Sequence, residues 1–190
     1  MSLTLVTPTR DYLPAYVAAL GRGWSPDTTA GGEATRLAQL EKIATDADGF
    51  LAGLDDPEAL AGDVQLPDGS MVKRLPGYYR WLWDGDLVGA IGIRWTPGTE
   101  ALPPHVLGHV GYAVVPWRRG EGHATAALGL LLPLAAESGL RWIDLTTDPD
   151  NVASHRVIVA NGGRLIERFT KPEAYGGTEG LLWRVALTLP

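Results

Sequence analysis

The sequence predicts one α/β domain of the α+β kind, with a mixed central sheet of about seven strands flanked by about four helices. Three observations carry this. The chain has 190 residues, of which 45% are apolar, enough for one well-buried core and short for two. No internal repeat and no charged linker divides it, so residues 1–190 read as a single domain. The hydrophobic period also switches along the chain. It gives a strand, helices and strands, then a strand–helix–strand–helix–strand run and a last strand, an order that suits a mixed sheet covered by helices.

Residues 3–6 alternate as a short first strand. Residues 10–20 read as a helix closed by Gly21 and Gly23. A second helix is expected over residues 33–54, where Ala34, Leu37, Leu40, Ile43 and Ala47 recur at three- and four-residue spacing. Residues 55–76 carry Pro57, Pro67 and Pro76 among glycines and aspartates, the composition of a long surface loop. Residues 78–84 and 87–95 form a hairpin around Gly85-Asp86. After a loop at 96–104, residues 106–115 make a fourth strand. Helix 122–138, strand 141–146, helix 152–161 and strand 164–170 follow, and a strand at 181–189 closes the chain. Pro133 falls inside the first of these helices and is expected to kink it.

Composition removes several classes of function. There is no cysteine, which excludes disulfides, thiolate catalysis and cysteine-ligated zinc, and fits a reducing cytoplasm. The N-terminus has no apolar signal core. The longest mostly apolar run, residues 124–136, is short of the roughly 20 residues a spanning helix needs. A cytoplasmic protein without membrane contact is expected. The net charge of −6, with no basic block, argues against nucleic-acid binding through phosphate neutralisation. Seven tryptophans are many for the length. Trp24, Trp81, Trp83 and Trp95 are expected mostly in the core, with an apolar acceptor slot as their other use.

The chemistry is concentrated in residues 111–125. A strand ends at Val115, Arg118 and Arg119 make a basic turn, and Gly120 and Gly122 open a helix of alanines and leucines. Glycines let a backbone approach a ligand closely. The N–H groups of a first helical turn converge on one point, where the helix dipole favours an anion. The two arginines add positive charge beside those donors. Together they ask for a phosphate or diphosphate, the other reading being a plain glycine turn with solvated arginines. No Gly-Lys-Ser/Thr follows, so this is no Walker loop, and the glycines are misplaced for a dinucleotide fingerprint.

Arg119-Gly120-Glu121-Gly122-His123-Ala124 matches the pattern Arg/Gln-x-x-Gly-x-Gly/Ala, and here the chain resembles the GNAT superfamily of N-acetyltransferases. A second hallmark is similar: Asp150-Asn151-Val152-Ala153-Ser154 starts a helix that ends in Asn161-Gly162-Gly163. The likeness covers about residues 78–189. Within the superfamily, Gly108-His109-Val110-Gly111-Tyr112 and residues 151–163 resemble a group of bacterial predicted acetyltransferases.

The resemblance implies a GNAT-like fold with a V-shaped splay between strands four and five, and residues 106–163 as the coenzyme A-binding core. Residues Arg119, Gly120, Glu121, Gly122, His123, Ala124 and Thr125 would hold the pyrophosphate, with Arg118 beside them. Ala113, Val114 and Val115 would offer backbone groups to the pantetheine arm and to the developing oxyanion. Asn151 would reach the pantetheine, cap its helix, or do both. His109 sits where several relatives place a glutamate base; it would titrate near neutrality, or else be a structural histidine bonded to a neighbouring strand. Glu100 and His105 are weaker candidates. Many relatives place a tyrosine where this chain has Ile158, which leaves Ser154 as the candidate donor to the departing thiolate. The side chains of Glu121 and His123 are expected at the solvent or cofactor rim, and His155 on an exposed helix face.

The implied function is an N-acetyltransferase that passes the acetyl group of acetyl-CoA to a primary amine of a small-molecule acceptor by direct attack, with no metal. The helices in residues 10–54 would supply the acceptor side, and a homodimer is compatible. Two alternatives stand beside it: a non-catalytic acyl-CoA-binding or sensing module, and transfer to a protein amine.

Overall fold

The computed structural model describes residues 2–29, 31–66 and 69–188. Its elements are β1 (Thr4–Val6), α1 (Leu13–Gly21), α2 (Gly32–Thr45), α3 (Ala47–Ala52), β2 (Asp55–Asp56), β3 (Val64–Gln65), β4 (Met71–Val72), β5 (Gly77–Trp83), β6 (Leu87–Arg94), β7 (Val110–Val114), α4 (His123–Glu137), β8 (Trp142–Thr147), α5 (Val152–Ala160), β9 (Arg164–Thr170) and β10 (Glu179–Ala186). Every residue of β6 but the last is buried, as its unbroken apolar run requires of a central strand. It pairs antiparallel with β5 on one side and β7 on the other, in the order β1-β5-β6-β7 with β2 on the flank of β5. A second antiparallel sheet has the order β8-β10-β9. Seven strands of three or more residues and five α-helices are thus present among the described residues.

Among the described residues the two sheets are hydrogen-bonded to each other at one place. His109 N–H donates to the Asp144 carbonyl at 2.7 Å, Asp144 N–H donates to His109 Nδ1 at 2.9 Å, and the Thr146 hydroxyl donates to the Leu107 carbonyl. From Val110 onward β7 pairs with β6 alone, and β8 pairs with β10 alone. The strands are therefore held at one end and part at the other, which is the expected splay. It opens toward the turns that lead into α4 and α5.

Two apolar clusters cover the sheet. α4 and α5 contribute Leu128, Leu131, Val157 and Ile158 to one, with Ile91 and Ile143. α1 and α3 contribute Tyr16, Leu20 and Phe50 to the other, with Trp81 and Val115. Trp24 and Trp81 are core residues: Tyr16 stacks on Trp81 at 4.4 Å and meets Trp24 edge-on at 5.5 Å. Trp83 packs on Tyr12, and Trp95 on Tyr78.

Several boundaries differ from the sequence expectation for local reasons. The helix expected over 33–54 is two helices. Asp46 leaves helical geometry (φ −149°, ψ 81°) and its carboxylate accepts the Gly49 N–H at 2.9 Å, capping α3. α1 starts at Leu13, because Thr9 accepts the N–H groups of Tyr12 and Leu13 in a turn and Pro14 suits only a first helical turn. The described residues of 55–76 hold three two-residue strands, with β3 and β4 paired. β7 begins at Val110, the preceding residues being bonded across to β8. α4 continues past Pro133 to Glu137. Pro67 of the expected loop and Leu189 at the end of the last expected strand lie outside the described residues.

Gly89 of β6 faces Val114 of β7, and a Cβ there would collide with the Ala113 carbonyl. Gly89→Ala is expected to destabilise the protein by about 1–3 kcal/mol, read as a lower urea midpoint at unchanged slope.

Candidate active site

The turn after β7 is built to leave donors free. Residues 116–118 make one 3-10 turn, then Gly120 and Gly122 take φ of 82° and 81°. That left-handed geometry costs a side-chain-bearing residue about 1–2 kcal/mol. No described residue comes within 4 Å of a Cβ built on either glycine, so the surface of the turn is open. Gly122 is the N-cap of α4 and has no side chain to cap with, and the first turn carries no acidic residue. Ala126 N–H reaches the Gly122 carbonyl at 3.1 Å. The N–H groups of residues 122–125 are the orphans of this helix start. By contrast, Asn151 closes the start of α5 by accepting the Ser154 N–H at 3.1 Å.

The two arginines have different surroundings. Arg118 turns away from the donors and grips Asp84, at the end of the β5–β6 hairpin, through two bonds of 2.6 and 3.2 Å. It also donates to Glu121 at 3.1 Å, and Glu121 lies 3.0 Å from His123 Nε2. The Arg118 hydrogen bonds hold the Asp84 carboxyl below its usual range, while His123 and then Arg118 do the same for Glu121. The expectation that Arg118 adds free charge beside the donors is corrected: two carboxylates neutralise it and make it a strut for the loop. His123 faces this cluster rather than the rim, with a side chain 13% exposed. Arg119 stays exposed. Its Nε donates to the Val114 carbonyl at 3.2 Å, which leaves both terminal nitrogens for a ligand.

That same bond shows which part of β7 faces the splay. N–H and C=O groups alternate sides along an extended strand. The Val115 N–H goes to Val88 in β6 at 2.9 Å, and the His109 carbonyl accepts from Arg94. Odd-numbered residues thus bond toward β6, and Tyr112 and Val114 present their backbone to the gap. Of Ala113, Val114 and Val115, only Val114 turns its backbone there, its N–H free and its carbonyl taken by Arg119.

His109 is fully buried. Its Nδ1 lone pair is filled by the Asp144 N–H, so in the neutral ring Nε2 carries the hydrogen. That nitrogen is buried and has no partner among the described residues. Burial pushes the imidazole below its ordinary value, outweighing the raising effect of Asp144. The ring has no lone pair left to act as a base, which is the structural alternative weighed above. Glu100 is held at about 2 by the Arg141 guanidinium, too low for a base near neutrality. His105 lends its carbonyl to Tyr175. His155 is half-buried, tilted against Trp183 at 5.1 Å, not on an exposed face.

Residues that the sequence did not single out complete the site. Tyr112 reaches from β7 toward the first turn of α5. Its hydroxyl is buried without a partner at hydrogen-bonding geometry among the described residues; burial raises the phenol and the neighbouring Ser154 hydroxyl draws it part of the way back. Asn161 ties the two helices together, donating to the Thr125 carbonyl at 3.1 Å and to Val157 at 2.9 Å. Alternation places Tyr112 in a strand, but its approach to Ser154 depends on how α5 lies over the sheet.

The family model described as "Acetyltransferase (GNAT) family" matches residues 34–162, and the chain belongs to that family of acetyltransferases. No curated protein matches the sequence. Among solved structures, the chain is similar to RimL, a ribosomal alpha-N-protein acetyltransferase in complex with coenzyme A (TM-score 0.64, 14% identity, 98% of this chain and 95% of that one). It is similar to Mycobacterium smegmatis RimJ in complex with a CoA disulfide (TM-score 0.63, 20% identity, 97% and 81%). A third is an aminoglycoside acetyltransferase in complex with coenzyme A and kanamycin (TM-score 0.59, 14% identity, 97% and 95%).

The residues fit the diphosphate of acetyl-CoA, the acyl donor of this family: free N–H groups, an open glycine surface, no carboxylate in the first helical turn, and Arg119 alongside. Asp84→Asn should loosen the turn and weaken acetyl-CoA binding about fivefold, the worth of about 1 kcal/mol for a partly buried charge-assisted pair, measured by calorimetry at pH 7. The folded Asp84 carboxyl titrates below its unfolded value near 3.9. Its contribution is therefore complete above that pH and is lost as pH falls through the folded value.

Proposed function

We propose that the chain transfers the acetyl group of acetyl-CoA to a primary amine of a small-molecule acceptor by direct attack. The observation that carries this is the uncapped start of α4 lying at the open end of the β7–β8 splay. In this reading Arg119 and the N–H groups of residues 122–125 hold the diphosphate, and the Arg118–Asp84–Glu121–His123 cluster keeps the turn in shape. Gly120 and Gly122 supply its curvature. Ala124 and Thr125 belong to the first turn, and Thr125 is fixed from behind by Asn161.

Acetyl-CoA supplies a thioester whose carbonyl carbon an amine can attack. The Val114 N–H, pointing into the splay, suits a hydrogen bond to the oxygen on which charge builds. The amine must be uncharged to attack, since an alkylammonium with a pKa of about 10.4 has no lone pair. His109 is a clamp between strands in this reading, and the amine gives its proton to water. Ser154 and Tyr112 place two hydroxyls where β7 faces α5, fitting donors to the leaving sulfur. Asn151 caps α5 through its oxygen, and its amide nitrogen stays available to the pantetheine arm.

Free thiol released from acetyl-CoA over a panel of small amines and N-terminal peptides tests the proposal. Turnover with small amines is expected. Binding without turnover on any amine would favour a sensing module, and turnover confined to peptides would favour a protein acceptor. Arg119→Glu should weaken acetyl-CoA binding by about 100-fold or more, as expected when an anion contact is reversed in sign. Arg10→Gln, at an exposed pair with Asp48, should leave binding unchanged.

A further inference from the structure

One cation stands apart from the rest. Every other half-buried arginine among the described residues is paired with a carboxylate, from Arg36 with Glu33 to Arg184 with Asp144. Arg94 is half-buried and has no carboxylate partner among them. It closes β6, and its terminal nitrogen lies 3.5 Å from where a Cβ on Gly111 would sit.

Gly111 is an exposed residue in the middle of β7, and directly across from it in β6 is Gly92. A Cβ on Gly92 would meet the ring of Tyr79 at 2.7 Å. Glycine inside a strand weakens it and often marks a bulge, a bend or a close approach of a ligand or another backbone. Gly92 is buried beneath that ring, while Gly111 stays exposed beside the guanidinium. Gly111 shares its face of β7 with Ala113, on the side packed by α1 and α3, opposite to Tyr112, which packs with α4 and α5. An acceptor placed on Gly111 approaches the splay from the face away from the Tyr112 hydroxyl.

We infer that Arg94, beside the exposed backbone of Gly111, anchors the acceptor, and that the acceptor carries a carboxylate a few bonds from its reacting amine. The inference rests on the acetyltransferase reading above and adds the substrate class. A guanidinium presents two parallel N–H donors that match a carboxylate. Gly111 and Val114, whose N–H faces the splay, are three residues apart, about 10 Å along the strand, a length that an amine and a carboxylate on one short carbon skeleton span together with the reacting acetyl group and their hydrogen bonds. Two sources share this chemistry: a free amino acid, and a peptide whose first residue is acidic.

The test uses the full chain with acetyl-CoA and matched pairs of acceptors. One arm compares amino acids with their carboxamides, the other compares peptides beginning with Asp against the same peptides beginning with Asn. In one arm the carboxylate member should have kcat/KM about tenfold higher or more. In Arg94→Gln the preference should shrink to about twofold while acetyl-CoA binds with unchanged Kd and the melting temperature holds. Arg94→Lys should restore part of it. Equal rates within every pair, a preference that survives Arg94→Gln, or no acetylation of any carboxylate-bearing member would each overturn the inference. A wild-type protein that does not bind acetyl-CoA at all would instead defeat the cofactor reading, a separate and earlier failure.

Discussion

The gap between β7 and β8 exists because the two strands are bonded at one end and diverge from there. At the closed end His109 gives its backbone N–H to Asp144 and takes the Asp144 N–H on its ring, so one residue satisfies both polar groups of its neighbour. A ring buried this completely is costly to charge, and it stays neutral with one nitrogen committed as acceptor. Beyond it β7 turns the N–H groups of Tyr112 and Val114 into the opening, where the Val114 carbonyl holds Arg119. The rest of the site follows from that divergence. Were β7 and β8 paired along their full length, the N–H groups of Val114 and Tyr112 would be consumed by the sheet.

The α4 turn and the charge cluster are then two answers to one electrostatic problem. A helix start with orphan donors attracts an anion, but a neighbouring Glu121 would repel it. Arg118 and His123 lie against that carboxylate, and Asp84 anchors Arg118 in turn. The net effect is a turn whose local charges are balanced internally, with Arg119 and the backbone left to act on a ligand. The aromatic cluster around Tyr16 and Trp81 serves the opposite face, holding α1 and α3 against the sheet on the side where Arg94 lies.

Much of this was legible in the sequence because it is local. The glycine turn, its arginines and the α4 start sit within eight residues, and Asn151 capping Ser154 spans only three. Hydrophobic period placed the long strands and the helices over them. What escaped was set by partners far along the chain. Arg118 meets Asp84 across 34 residues, His109 bonds a backbone group 35 residues on, and Tyr112 nears Ser154 only because α5 lies over β7. The break between α2 and α3 escaped for another reason: Asp46 sits among helix formers and acts as a cap, which apolar spacing alone does not reveal.

The central claim is that backbone amides at the start of α4 take a diphosphate. Backbone amide NMR shifts on titration with coenzyme A test it most directly, with pantetheine, which lacks the diphosphate, as the comparison. Coenzyme A should move the amides of Gly120, Gly122, His123, Ala124 and Thr125 most, and pantetheine should leave those five nearly still. If coenzyme A leaves them unmoved, or shifts other parts of the chain equally with or without its diphosphate, the account is wrong.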